Sequence, residues 1–186
     1  MKLLFTLLLT LPGIYLFGQP PRTLPPLDQS PMDIVYFPEN YPILKIQNKA
    51  AALPVMRVIY SRPHKAGRLI FGGLVEYGDV WRVGANEASE IEFFRDVKIN
   101  KKVVKKGRYT MYVIPYPDKW TFIINRETDI WGAFKYSSAK DVVRMDVPVY
   151  KNDVVEDFTI DIVKTNFGAS LNIYWDDVRT SVPISF

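Results

Sequence analysis

From Val55 onward the chain alternates. Apolar residues fall at every second position in short runs: Val55 to Tyr60, Ile91 and Phe93 between Glu90 and Glu92, Val97 and Ile99, Tyr109 with Met111 and Val113, and Trp120 with Phe122 and Ile124. The period returns in Val143, Met145, Val147 and Val149, in Phe158, Ile160 and Ile162, in Leu171, Ile173 and Trp175, and in Val182 and Ile184. A period of two places alternate side chains on one face of a strand. No apolar residue recurs at i, i+3, i+4 and i+7 over three turns, so amphipathic helices are not expected. Turn residues separate the runs, at Asn100-Lys101-Lys102, at Pro115-Tyr116-Pro117-Asp118 and at Asp176-Asp177 after Trp175. Short strands with one apolar face each hide those faces by packing two sheets together or by closing a barrel. The pattern predicts an all-β fold, an antiparallel β-sandwich of about 8–10 strands over residues 55–186. There is no Cys…Trp…Cys spacing to support an immunoglobulin domain.

Residues 1–18, MKLLFTLLLTLPGIYLFG, read as a secretory signal peptide: Lys2, then an apolar run, then a small residue at Gly18 near which cleavage is expected. The run is shorter than the roughly 20 residues that span a bilayer, and Pro12-Gly13 break it. The mature protein is expected to be periplasmic or secreted, with no transmembrane segment. Nine of the fourteen prolines lie between Pro20 and Pro63, and proline fixes φ and removes a backbone donor. Residues 19–54 are therefore expected to form a Pro-rich extended arm, partly docked, in which regular interior strands or helices are disfavoured. Ile34 to Phe37, Tyr41, Ile43, Leu44 and Ile46 dock part of it, and residues 19–30 read as linker.

About thirty residues, 61–89, connect the strand ending at Tyr60 to the one starting at Glu90, which is long for a connection inside one domain. They hold five of the ten glycines and the single histidine, His64. The absence of cysteine excludes disulfides, thiol chemistry and any zinc site built on Cys and His. A formal charge of +4 without a basic block gives no footprint for nucleic acid. No P-loop, dinucleotide fingerprint or H-E-x-x-H is present, so no cofactor or metal is expected. What the segment offers is Arg62, Arg68, Trp81, Arg82, Asn86 and Glu87, with Trp131 and Tyr136 as further walls. Arginine forks suit carboxylate or phosphate and aromatic faces suit a sugar ring, so these residues predict a site for a small anionic or carbohydrate ligand. The competing role for the same residues is to satisfy the polar groups of a long loop. His64 and Glu87 are the candidates for general acid or base, and an alternative reading is a hydrolase acting on a sugar or cell-envelope component. Ser61 has no nucleophile elbow around it. Binding without catalysis is the reading the residues favour.

A set of separated motifs runs through the chain in order: Ser61-Arg62-Pro63, Gly67-Arg68, Phe71-Gly72-Gly73-Leu74-Val75, Tyr77-Gly78, Trp81-Arg82 and Gly84-Ala85-Asn86-Glu87-Ala88. They continue as Gly107-Arg108-Tyr109-Thr110, Trp120-Thr121, Asn125, Trp131-Gly132, Tyr136, Asp141-Val142, Arg144, Val147-Pro148-Val149, Leu171, Trp175 and Val182-Pro183-Ile184. The set resembles the signature of a bacterial family, domain of unknown function 2911, over roughly residues 31–186. The resemblance implies an exported protein of Gram-negative bacteria with a mostly β domain. It carries no established activity, so it assigns no catalytic residue.

Overall fold

The period-two segments pair into one antiparallel sheet of nine strands in the computed structural model, which describes residues 23–186. In chain order the strands are β1 (Met32–Phe37), β2 (Met56–Ser61), β3 (Glu90–Phe93), β4 (Val97–Ile99), β5 (Lys102–Val104), β6 (Gly107–Pro115), β7 (Lys119–Asn125), β8 (Asp141–Thr165) and β9 (Gly168–Ser185). Their order across the sheet is β1-β2-β3-β6-β7-β8-β9-β4-β5. The expected signal peptide, residues 1–18, lies outside the described residues. No helix among the described residues is long and apolar enough to cross a membrane.

The sheet folds over on itself because β8 and β9 are long and broken in register. Val143 to Val149 and Phe158 to Ile162, which read as separate strands, share β8, and Leu171 to Trp175 and Val182 to Ile184 share β9. Between them the register shifts at Lys151/Val155 and again at Val155/Thr159, opposite Asp176 at φ 55°. Asp176-Asp177 thus lies inside a strand and is not the turn its composition suggests; the extra residues are on β8, which advances four residues on each side of Val155 while β9 advances two, and a bulge bends the strand that carries it. The first part of β8, to Pro148, pairs with β7, and among the strands the rest pairs with β9. The two walls meet through Tyr60 and Phe158, whose ring centroids lie 5.8 Å apart, and through Phe37 and Phe186 at 5.5 Å. One continuous core fills the space between, so the expected antiparallel sandwich is the fold.

Part of the proline-rich arm forms regular elements. Met32–Phe37 pair along their whole length with β2 as an edge strand, because Pro31 and Pro38 bracket the strand instead of interrupting it. Tyr41–Ile46 form a short helix, α1, with Pro42 in its first turn, where the missing N–H has no partner to lose.

Loop 61–89 is part of the core. Ile70, Phe71, Val75, Trp81 and Val83 are buried. Strand β3 covers only Gly107 to Thr110 of β6. The rest of that edge is taken by the loop: Met111 N donates to Ser89 O at 2.8 Å, Trp81 and Val113 exchange bonds of 2.8 and 3.0 Å, and Gly78 N donates to Pro115 O at 2.9 Å. At the loop's start, Phe158 N donates to Pro63 O at 3.0 Å and Lys65 N to Glu156 O at 2.8 Å, lacing it to the opposite wall. Phe71 sits at the centre, 4.9 Å from the ring of Trp120 and 5.9 Å from that of Trp81. Truncation of a buried phenylalanine costs about 3–5 kcal/mol. Phe71→Ala is expected to lower the urea midpoint accordingly, whereas a loop merely draped over a finished sandwich would lose under about 1 kcal/mol.

Candidate functional site

Trp81 is fixed by its backbone exchange with Val113, and its indole points into the core. It stacks on Trp175 at 5.8 Å with 18° between the planes and meets Phe158 edge-on at 5.3 Å. Its Nε1 donates to Gly84 O at 3.1 Å. That bond requires a tight reversal over two residues. Val83 adopts φ 59°, an outlier region for a β-branched residue, and Gly84 adopts φ 155°. A Cβ on Gly84 would lie 2.9 Å from Ser61 Oγ, so the position needs glycine for space as well as for φ.

Arg82 lies between Trp81 and this reversal. Its Nε is buried with no hydrogen-bond partner among the described residues. Burial lowers its pKa from the ordinary arginine value, and no charged partner counters that effect. The residue borders a cleft of about 350 Å³ whose walls include Gln29, Ser30, Pro63, His64, Arg68, Leu74, Val75, Trp81 and Trp175. None of the described residues lining it is Asp or Glu. On its other side Arg82 borders a shallower recess with Glu76 and Asp79, and it forms an ion pair with neither.

The residues expected to converge divide into three groups. Arg68, Trp81 and Arg82 line the cleft, with His64 at its rim. Arg68 gives Nε to Lys65 O at 3.0 Å and a terminal nitrogen to His64 O. His64 Nδ1 meets the carboxylate of Asp157, and both side chains are about half exposed.

Arg62 and Asn86 act beside the cleft. Arg62 spends its guanidinium on Asp33 at 3.0 Å, Phe158 O at 3.2 Å and Thr159 Oγ1 at 3.0 Å, stitching the edge of one wall to the other. Asn86, at φ 58°, donates from Nδ2 to Asp28 Oδ2 at 2.9 Å, which holds the segment carrying Gln29 and Ser30 over the cleft.

Glu87, Trp131 and Tyr136 are elsewhere. Glu87 and Trp131 bridge each other through their backbones on the outer face of β2 and β3, and Trp131 is 61% exposed. Tyr136 packs edge-on against Tyr112 at 5.1 Å in a separate apolar cluster, donating to Asp141 Oδ2 at 2.7 Å and accepting from Arg144 at 2.7 Å. Burial first, then Glu127 and Asp141 for Tyr112 and Asp141 for Tyr136, pushes both phenols up to about 12. The acid and base expected for the alternative hydrolase, Glu87 and His64, do not share a cleft. Ser61 is closed off as well, its Oγ donating to Ala85 O at 2.6 Å and accepting from Ala85 N at 2.7 Å.

Sequence reasoning missed Gln29, Ser30, Leu74, Val75 and Trp175 as walls. Trp175 carried a signal, as the last aromatic of its alternating run, but Gln29 and Ser30 carried none. Among the described residues no group of three His, Cys, Asp or Glu side chains is placed to hold a metal ion. The model of one family, described as protein of unknown function (DUF2911), matches residues 42–184. No curated protein and no solved structure matches the chain.

The two arginines separate in a stability measurement. Arg62→Ala leaves Asp33 and two further acceptors without their donor and is expected to cost about 1–2 kcal/mol, because the site is partly exposed. Arg82→Met removes an unpaired, half-buried charge and is expected to leave stability unchanged or raise it by about 1 kcal/mol. A loss on that substitution would show that the fold itself satisfies the guanidinium. A pH titration reads the phenols. Tyr112 and Tyr136 keep their protons to about 12, while tyrosines in the unfolded chain release theirs near 10. Their stabilising contribution is complete below about pH 10 and disappears as pH rises to about 12. Burial also raises Tyr60, Tyr109 and Tyr174, so phenolate absorbance followed alongside unfolding is expected to show a late-titrating set that loses two members in a Tyr112→Phe, Tyr136→Phe variant.

Proposed function

The chain belongs to the DUF2911 family of proteins of unknown function, and from the chemistry of its cleft we propose that it is an exported, non-enzymatic binding module that takes a small anionic solute against Arg82. One observation carries the reading: a guanidinium partly withdrawn from water, without a counter-charge among the described residues, borders a cleft that no acidic side chain lines. An arginine kept for folding alone finds partners, as Arg62 does. An unpaired one costs free energy that a bound carboxylate or phosphate recovers through charge-assisted hydrogen bonds.

Two further features support the reading. The strained φ of Val83 adjoins Arg82, and strain of this kind accumulates where geometry serves a ligand. The cleft, at about 350 Å³, is at the small end of the range for ligand pockets, which suits a metabolite-sized solute. Export is supported by the charged start and apolar run of residues 1–18.

The test is a thermal-shift panel of small carboxylates and phosphates, each beside its neutral isostere, on wild type and Arg82→Gln. At least one anion is expected to raise the melting temperature of the wild type and to leave the variant unmoved. Equal shifts in the two proteins would remove the cleft as the site.

A further inference from the structure

Arg82 does not border the cleft alone, and its companion narrows the class of solute, on the reading that this cleft is the anion site. Arg68 lines the same space. Other cations of the loop are cancelled by carboxylates: Arg62 stands 3.0 Å from Asp33, and Lys65 stands 3.2 Å from Asp176. Arg68 instead gives Nε and one terminal nitrogen to the carbonyls of Lys65 and His64, which are neutral acceptors. Those two bonds hold the guanidinium plane in place and leave its charge uncancelled. Its other terminal nitrogen, Nη1, meets no acceptor among the described residues, so the fork still has a donor to offer.

The described walls of the cleft therefore carry two uncancelled guanidinium groups and no carboxylate. Asp157 pairs with His64 at the rim and does not line the space. At about 350 Å³ the cleft is small enough that a solute filling it reaches both arginine-bearing walls. A monoanion matches one guanidinium and leaves the other unanswered, whereas a second negative charge on the same small body answers both. The two contacts differ in kind. Arg82 is partly buried and Arg68 is exposed, so the contribution of Arg68 is the one that salt screens.

We infer that the solute is a small dianion held by Arg82 and Arg68 together. A phosphate monoester, with both charges on one group, and a dicarboxylate, with one charge on each of two groups, present this same chemistry.

Calorimetric titration of the full chain tests it with probes alike in body and different in charge: phenyl phosphate against methyl phenyl phosphate, and phenylsuccinate against 3-phenylpropanoate, with 3-phenylpropanamide as the neutral control. The buffer is held well above the second phosphate pKa of about 6, so that the monoester keeps both charges. In at least one pair the dianion is expected to bind about ten-fold or more tighter than its monoanion at low salt, the effect of one further charge-assisted contact. The pair with the larger gap identifies the source, and added salt is expected to narrow that gap. Arg68→Gln, shown by its melting temperature to be folded, is expected to bring the dianion down to the affinity of the monoanion and to leave the monoanion where it was. Arg82→Gln is expected to abolish both. Equal affinities within both pairs, or a dianion preference that survives Arg68→Gln, would overturn the inference and leave Arg82 as the anion site. If no charged probe binds in an Arg82-dependent manner, both readings fall.

Discussion

Closure of the folded sheet by an aromatic wedge is the constraint on which the rest of this structure depends. A sheet that bends back on itself leaves two walls that must be filled with side chains at close-packed density. Here the walls present Trp120 from β7 and Trp175 with Phe158 from the long hairpin. Neither neighbouring strand supplies the filling, because β3 stops after four residues and leaves half of β6 uncovered. Loop 61–89 meets both needs, pairing with the bare edge through Trp81 and packing Phe71 and Trp81 between the walls. The loop is held as firmly as a strand because it performs a strand's work.

The environment of Arg82 follows from that wedge. Trp81 must enter the core while the next residues reverse direction so that its indole N–H reaches Gly84 O. The residue between is therefore held against apolar surroundings with little freedom to withdraw. A neutral side chain at this position would avoid the desolvation cost and leave the wedge intact. The presence of an unpaired arginine at a position the fold would fill more cheaply is a local inconsistency, and such inconsistencies concentrate where function is served. Arg62, twenty residues earlier on the same loop, shows the consistent alternative: each of its nitrogen types has an acceptor, and it joins the two walls.

Most of the strands were legible because a period of two is a local property and solvent faces one side of each wall. Three features were not. The continuity of β8 and β9 was hidden by Asp176-Asp177, whose composition is that of a turn but which lies within β9, Asp176 in a left-handed conformation opposite the bulged stretch of β8. The edge strand β1 was hidden by prolines that stand at its ends, where they do no harm to its pairing. The division of the candidate site was hidden because nearness in sequence is not nearness in space. Arg82 and Glu87 are five residues apart, yet the reversal at Val83 and Gly84 and the return along β6 put Glu87 on the outer face beside Ile59 and Asp129. The segment itself announced His64, Arg68, Trp81 and Arg82 through its length and glycine content. Trp175 and Ser30 join them only through contacts that no local pattern records.

The walls of the cleft differ in how firmly they are held, and this bears on how it is entered. Trp175 belongs to the long hairpin, and Trp81 is tied by two strand-like bonds and four aromatic contacts. Moving either would open the core. The wall formed by Gln29 and Ser30 is another matter. It hangs between the bond from Arg62 N to Pro31 O and the single exposed bond from Asn86 to Asp28. An exposed hydrogen bond of this kind contributes about 0.5–1.5 kcal/mol, little enough to be broken often at ambient temperature. The cleft is thus rigid along the walls of Trp81 and Trp175 and loosely fastened along one side. That combination lets one side of the cleft move without disturbing the wedge that holds the sandwich shut.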